Sequence, residues 1–118
     1  MPCEIVESSK GQLTIQISGM LRKSELDRAE QVAIEKMRAG GKIRLLFLTV
    51  DFQGWDNSDD WGDLSFQSQY DSQIEKIAIV CEKHWQEKAE AFVGKGIRSV
   101  EIRCFASSQV ELARAWIG

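Results

Sequence analysis

Five carboxylates fall within thirteen positions, Asp51, Asp56, Asp59, Asp60 and Asp63, and the large rings Phe52, Trp55 and Trp61 stand among them, with Phe66 close behind. Clustered oxygen donors are what a hard cation takes, yet the order here fails the D-x-[DN]-x-[DN]-G pattern of a calcium loop. Asn57 or Ser58 suits the start of a helix, and acidic residues in a first turn complement the helix dipole. Helix capping plus a solvated acidic face is therefore the plainer reading of the carboxylates. Acid–base work would need burial to set two carboxylates apart, and nothing in the stretch forces burial.

Other chemistries find less. His84 is the single histidine, and it opens a helical pattern beside Trp85, where a solvated helix position explains it. No GxSxG elbow marks a serine as a nucleophile, and neither GxGxxG nor GxxxxGK[ST] occurs to cradle a phosphate. Gly94-Lys95-Gly96 reads as a helix exit. Cys3, Cys81 and Cys104 are dispersed, with no CxxC pair, which suits neither a zinc site nor a disulfide framework. Cys81 and Cys104 sit in apolar runs and read as small core residues. The sequence thus predicts no catalytic residue, no metal and no cofactor.

The rings are left. Phe52, Trp55, Trp61 and Phe66 gather around a loop and a weak helix, more ring surface than such a segment needs for packing. Two readings stand side by side. In one, Trp61 and Phe66 are core and Trp55 caps the end of a sheet. In the other, Phe52, Trp55, Trp61, Leu64 and Phe66 line an apolar pocket or patch that receives an acyl chain, a membrane or a partner helix. Tryptophan suits such a boundary, being apolar in its ring and polar at its N–H.

The elements that must position these residues follow from periodicity. Residues 3–8 and 12–18 read as a hairpin across Ser8-Ser9-Lys10-Gly11. Its second strand sets Leu13, Ile15 and Ile17 against Thr14, Gln16 and Ser18, one face wet, and Gly19 closes it. Ser24 reads as the N-cap of a helix carrying Leu26, Ala29, Ala33 and Met37 on one stripe, stopped by Gly40-Gly41. Ile43 to Val50 is nearly unbroken apolar residue, as in a parallel strand buried on both faces, and a loop is predicted from Asp51. A second helix or helical turn runs through Trp61 and Leu64, weakened by Gly62. Ile74 to Cys81 is another central strand, and Lys83 to Val93 an amphipathic helix bearing Trp85, Ala89, Phe92 and Val93. Val100 to Phe105 alternates as an outer strand. Ser108 to Glu111 reads as the capping box of a last helix that packs Leu112, Ala113 and Trp116. The order is β-β-α-β-α-β-α-β-α, an α/β mixed five-stranded sheet with about four helices. Ligands of such sheets bind beyond the carboxyl ends of the strands, where the aromatic stretch lies.

With 118 residues, 43% hydrophobic and 28% charged, the chain suits one domain over residues 1–118. A net charge of -3 and the lack of a basic run speak against a nucleic-acid partner. No stretch reads as a signal segment or a membrane span, so the expected location is cytoplasmic, with peripheral membrane contact allowed by the rings. An open edge strand makes a homodimer an expectation.

The apolar strand entering Asp51-Phe52-Gln53-Gly54-Trp55, then Trp61-Gly62-Asp63-Leu64, the strand Ile74-Glu75-Lys76-Ile77-Ala78-Ile79-Val80, His84-Trp85, Phe105 and Glu111-Leu112-Ala113-Arg114-Ala115-Trp116 together resemble the SpoIIAA-like family of the STAS-like superfamily. The resemblance implies a STAS-type fold, with helices mostly on one sheet face, and no known catalysis. Relatives of this kind have been likened to CRAL-TRIO-type lipid carriers and membrane-associated modules. Anti-sigma factor antagonists in the superfamily are switched by phosphorylation of a serine in a D-S-[ST]-G motif. Here the corresponding region reads Asp56-Asn57-Ser58-Asp59, which lacks the motif, and its carboxylates would repel an added phosphate. Ser58 is the switch serine if one exists. The leading expectation is a non-enzymatic domain that binds a lipid-like ligand or membrane surface through the Phe52–Phe66 region. The alternative is a regulator of the anti-sigma antagonist type, acting on a protein partner.

Overall fold

The structure is a computed structural model, and it describes residues 3–9, 11–55, 70–93 and 100–117. Five strands form one sheet in the order of the chain, β1 (Cys3–Ser9), β2 (Gln12–Leu21), β3 (Ile43–Trp55), β4 (Ile74–Val80) and β5 (Glu101–Phe105). β1 and β2 are antiparallel; every later pairing is parallel. Parallel neighbours need crossovers. Among the described residues, α1 (Lys23–Gly40) carries the chain from β2 to β3, α2 (Lys83–Val93) from β4 towards β5, and α3 (Val110–Ile117) follows β5. Short 3-10 turns at Asp71–Gln73 and Ser107–Gln109 lead into β4 and α3.

Strand alternation divides the core in two. Leu13, Ile15 and Ile17 of β2, Ile43 and Leu45 of β3, Ile77 and Ile79 of β4 and Ile102 of β5 are buried on one face, under Ala29, Ala33 and Met37 of α1 and Ala89 of α2. The opposite face buries Leu46, Ala78, Val80 and Phe105 under Ala113 and Ile117 of α3. β3 therefore feeds both clusters, as its unbroken apolar run requires. Each of these aliphatic, methionine or phenylalanine side chains larger than alanine contributes roughly 1.5–3 kcal/mol by leaving water, before the entropy of ordering it is counted. Lys76 of β4 ties α3 down further, donating to the Trp116 carbonyl at 3.0 Å with its ammonium 5.0 Å from that ring's centre.

Several boundaries differ from those the sequence predicts. β2 does not close at Gly19 but continues to Leu21, and β3 does not end at Val50 but continues to Trp55. The reason is a pair of β-bulges. Ser18 faces Val50, Gly19 faces Phe52 and Met20 faces Gly54, so Asp51 and Gln53 are extra residues on β3. Gly19 (φ 64) and Asp51 (φ 51) take the left-handed conformation that such bulges use. What looks like punctuation is a kink inside a continuing ladder.

The helix starts shift for a related reason. With β2 running to Leu21, the chain turns straight into α1, so Arg22 is the N-cap, without a side-chain cap, and Ser24 lies inside the first turn. Gly41 (φ 84) ends α1 as expected, its N–H donating to the Met37 carbonyl. Before α3, Gln109 rather than Ser108 closes the turn, its side-chain oxygen accepting from the Ala106 N–H at 2.9 Å. On α3 the buried residues are Ala113 and Ile117, whereas Leu112 is 55% exposed. The helix predicted through Trp61 and Leu64 lies outside the described residues.

Candidate functional site at the carboxyl end of the central strand

The second bulge sets the site. After Gln53, Gly54 takes φ 103, a conformation open to glycine and strained for other residues. Phe52 and Trp55 then turn to the face covered by α1 and α2. Trp85, in the first turn of α2, closes over them. A Cβ on Gly54 would lie 3.2 Å from Trp85 Cη2, so the missing side chain is what lets the indole sit on the strand backbone.

The three rings meet edge to face. Phe52 is 5.1 Å from Trp55 and 5.0 Å from Trp85 between ring centres, at interplanar angles of 87° and 70°. Trp55 and Trp85 are 6.1 Å apart at 79°. These are the favoured arrangements of aromatic quadrupoles, each pair adding about 0.5–1.5 kcal/mol beyond its burial. Phe52 is the buried centre at 9% exposure, while Trp55 and Trp85 are half-buried. Lys88, one turn along α2, holds its ammonium 5.4 Å from the centre of the Trp85 ring. At the same end of the sheet, Met20 of β2 and Val50 of β3 are 47% and 46% exposed. Alternation from Leu48 and from Leu21 sets Val50 and Met20 on the sheet face opposite the ring cluster.

Of the predicted ligand-binding residues, the structure brings Phe52 and Trp55 together and places both in β3 rather than in a loop. Trp61, Leu64 and Phe66, and the candidate switch serine Ser58, lie outside the described residues. From the sequence, Trp85 reads only as part of a helix face. Its membership of the cluster depends on β3 and β4 being neighbours, which periodicity along one segment does not reveal.

The polar inventory is thin. Among the described residues no group of three or more histidine, cysteine, aspartate or glutamate side chains could hold a metal ion. His84 is exposed, 3.9 Å from Glu82 across the helix start and 5.2 Å from the Trp85 ring centre. Asp51 is exposed on its bulge. Beneath α2, Cys81 is buried and Cys104 half-buried. The Cys104 side chain hydrogen-bonds Cys81 and holds its thiol below the usual value, against burial and the charges of Glu90 and Glu82, which push it up. What the arrangement offers chemically is an apolar, aromatic contact surface. Among the described residues no helix is long and apolar enough to cross a membrane.

Comparison with known proteins agrees with this architecture. The SpoIIAA-like family matches residues 12–118. No curated protein matches the chain. Among solved structures, an uncharacterized protein of the DUF3478 family with a SpoIIAA-like fold, from Shewanella loihica PV-4, superposes with a TM-score of 0.72 at 18% identity, covering 98% of this chain and 92% of that one. At that identity the likeness concerns the fold. By the match over residues 12–118 the chain belongs to the SpoIIAA-like family.

Proposed function

We propose that this chain is a non-enzymatic domain that receives an acyl chain, from a lipid-like ligand or a membrane surface, at the carboxyl end of β3. The observation that carries the reading is the Phe52–Trp55–Trp85 cluster, with two half-buried indoles at the end of the sheet where α/β folds bind ligands. Half-buried tryptophan suits an acyl boundary, since part of its large apolar ring stays at the surface. An apolar, aromatic surface of this kind fits binding rather than turnover.

Tryptophan emission during titration with phosphatidylcholine vesicles, with and without phosphatidylglycerol, tests the reading. A saturable blue shift, lost in Trp55→Ala, is the expected result. A parallel titration with monomeric oleate separates the sources: a shift with oleate alone means a carrier-type pocket, and a shift with vesicles alone means surface attachment. No shift with either removes the proposal and turns attention to a protein partner at the same end of the sheet.

A further inference from the structure

The first turn of α1 brings a carboxylate to the end of the sheet where the rings meet. β2 ends at Leu21, which pairs with Trp55, and α1 starts at Lys23, so its first turn lies at the carboxyl end of the strands. Glu25, Ala29, Ala33 and Met37 follow at four-residue spacing and share one stripe of the helix. The last three are buried in the cluster that holds Phe52 and has Trp55 and Trp85 packed against it. Glu25 continues that stripe beyond Ala29. Helical side chains lean towards the N-terminus, so its carboxylate extends past the first turn, on the face that carries the rings. Its Oε2 is buried and has no hydrogen-bond partner among the described residues. Nearby donors are engaged elsewhere. The N–H groups of Glu25 and Leu26 both donate to the Arg22 carbonyl at 3.1 Å, and the Lys23 ammonium lies 3.1 Å from each oxygen of Asp27. Lys88 is exposed against the Trp85 ring. The helix dipole favours negative charge in this turn but gives that oxygen no donor.

We propose that Glu25 receives the primary ammonium of a single-chain amphiphile whose aliphatic tail lies on the Phe52–Trp55–Trp85 cluster. The proposal rests on the reading of the rings as a lipid site and adds the head group. A carboxylate oxygen only accepts, so its partner must donate. Leaving such an oxygen buried without a donor is costly, and a neutral hydroxyl would satisfy the bond but not the charge. An ammonium does both, in the stronger, charge-assisted form of the bond. Burial of Oε2 also decides the source. A head group held in the plane of a bilayer stays in water, so the ligand that reaches this oxygen enters as a monomer. The half-buried indoles of Trp55 and Trp85 suit the same guest, because the face of an indole attracts a cation and its ring packs against a tail.

The test titrates the full chain with dodecylamine, dodecyltrimethylammonium, dodecanol and laurate at neutral pH, below the micelle threshold, followed by tryptophan emission and calorimetry. Dodecylammonium should bind about tenfold tighter than dodecanol, as a hydrogen bond between charged groups implies. Dodecyltrimethylammonium, which has the charge but no N–H, should fall between them, and laurate should bind weakest. Glu25→Gln should abolish the preference for dodecylammonium while dodecanol binds as before. The ligand series on the unaltered chain needs no variant, so it decides the matter even where Glu25→Gln disturbs the helix start. Dodecanol or laurate binding as tightly as dodecylammonium overturns the inference and leaves the lipid reading standing. So does a Glu25→Gln variant that weakens dodecylammonium and dodecanol alike. Binding of none of the four removes the lipid reading itself, and this inference with it.

Discussion

Gly54 is where backbone and ring packing constrain one position together. Its φ of 103 is a conformation other residues rarely adopt, and the Trp85 ring occupies the space a side chain would take. Gly19 is the natural comparison, at φ 64 with nothing within 4 Å of where a methyl would stand. Gly19→Ala therefore carries backbone strain alone, about 1–2 kcal/mol. Gly54→Ala adds a contact that displaces an indole, for a total of about 2–4 kcal/mol. Urea unfolding should show the larger fall in midpoint for Gly54→Ala, with altered near-ultraviolet circular dichroism from the disturbed rings. Equal losses in the two variants would mean that Trp85 does not rest on Gly54. At this scale the sequence is half legible. Phe52 and Trp55 stand out because rings are conspicuous beside an apolar strand. Trp85 does not, because its spacing with Ala89 fits a buried helix stripe equally well, and only strand adjacency distinguishes the two.

Elements are more legible than their ends. Alternation in Leu13, Ile15 and Ile17 and the apolar run from Ile43 locate β2 and β3, and the Ala29–Ala33–Met37 stripe locates α1, because burial imposes those periods. Their boundaries mislead where glycine and aspartate serve as bulges, since a bulge uses the same residue types as a turn. α3 shows a different limit. Its eight residues include Leu112, Ala113, Trp116 and Ile117, and so short a helix admits more than one buried stripe. Packing selects Ala113 and Ile117, leaving Leu112 exposed. Ile117→Ala should thus cost about 2–4 kcal/mol by opening a cavity over Leu46 and Val80. Leu112→Ala should stay within about 0.5 kcal/mol. Thermal melts of the two variants discriminate: the reverse order would mean that α3 is rotated about its axis.

Across the whole molecule, stability should follow the sheet order. β3 and β4 lie inside, with parallel neighbours on both sides and apolar layers above and below. β1 pairs with β2 alone among the described strands, and its register shifts between Ile5 and Glu7, with Ile5 and Val6 exposed. An edge strand with an irregular ladder opens without disturbing the two cores, whereas β3 opens only when both are lost. Hydrogen exchange under native conditions should therefore be slowest for Leu45 to Leu48 and Ile77 to Val80, at the global unfolding limit, and faster by orders of magnitude in β1. Beyond Val50 the same argument gives β3 a graded end. Residues Gly54 and Trp55 remain paired with β2, but the bulges at Asp51 and Gln53 interrupt the ladder, so protection should fall stepwise across Asp51. Such a step would leave the aromatic cluster on backbone that opens more readily than the core carrying it. Uniform protection from Ile43 to Trp55 would instead make the rings part of the rigid core, and an acyl chain could then enter only over their outer edges.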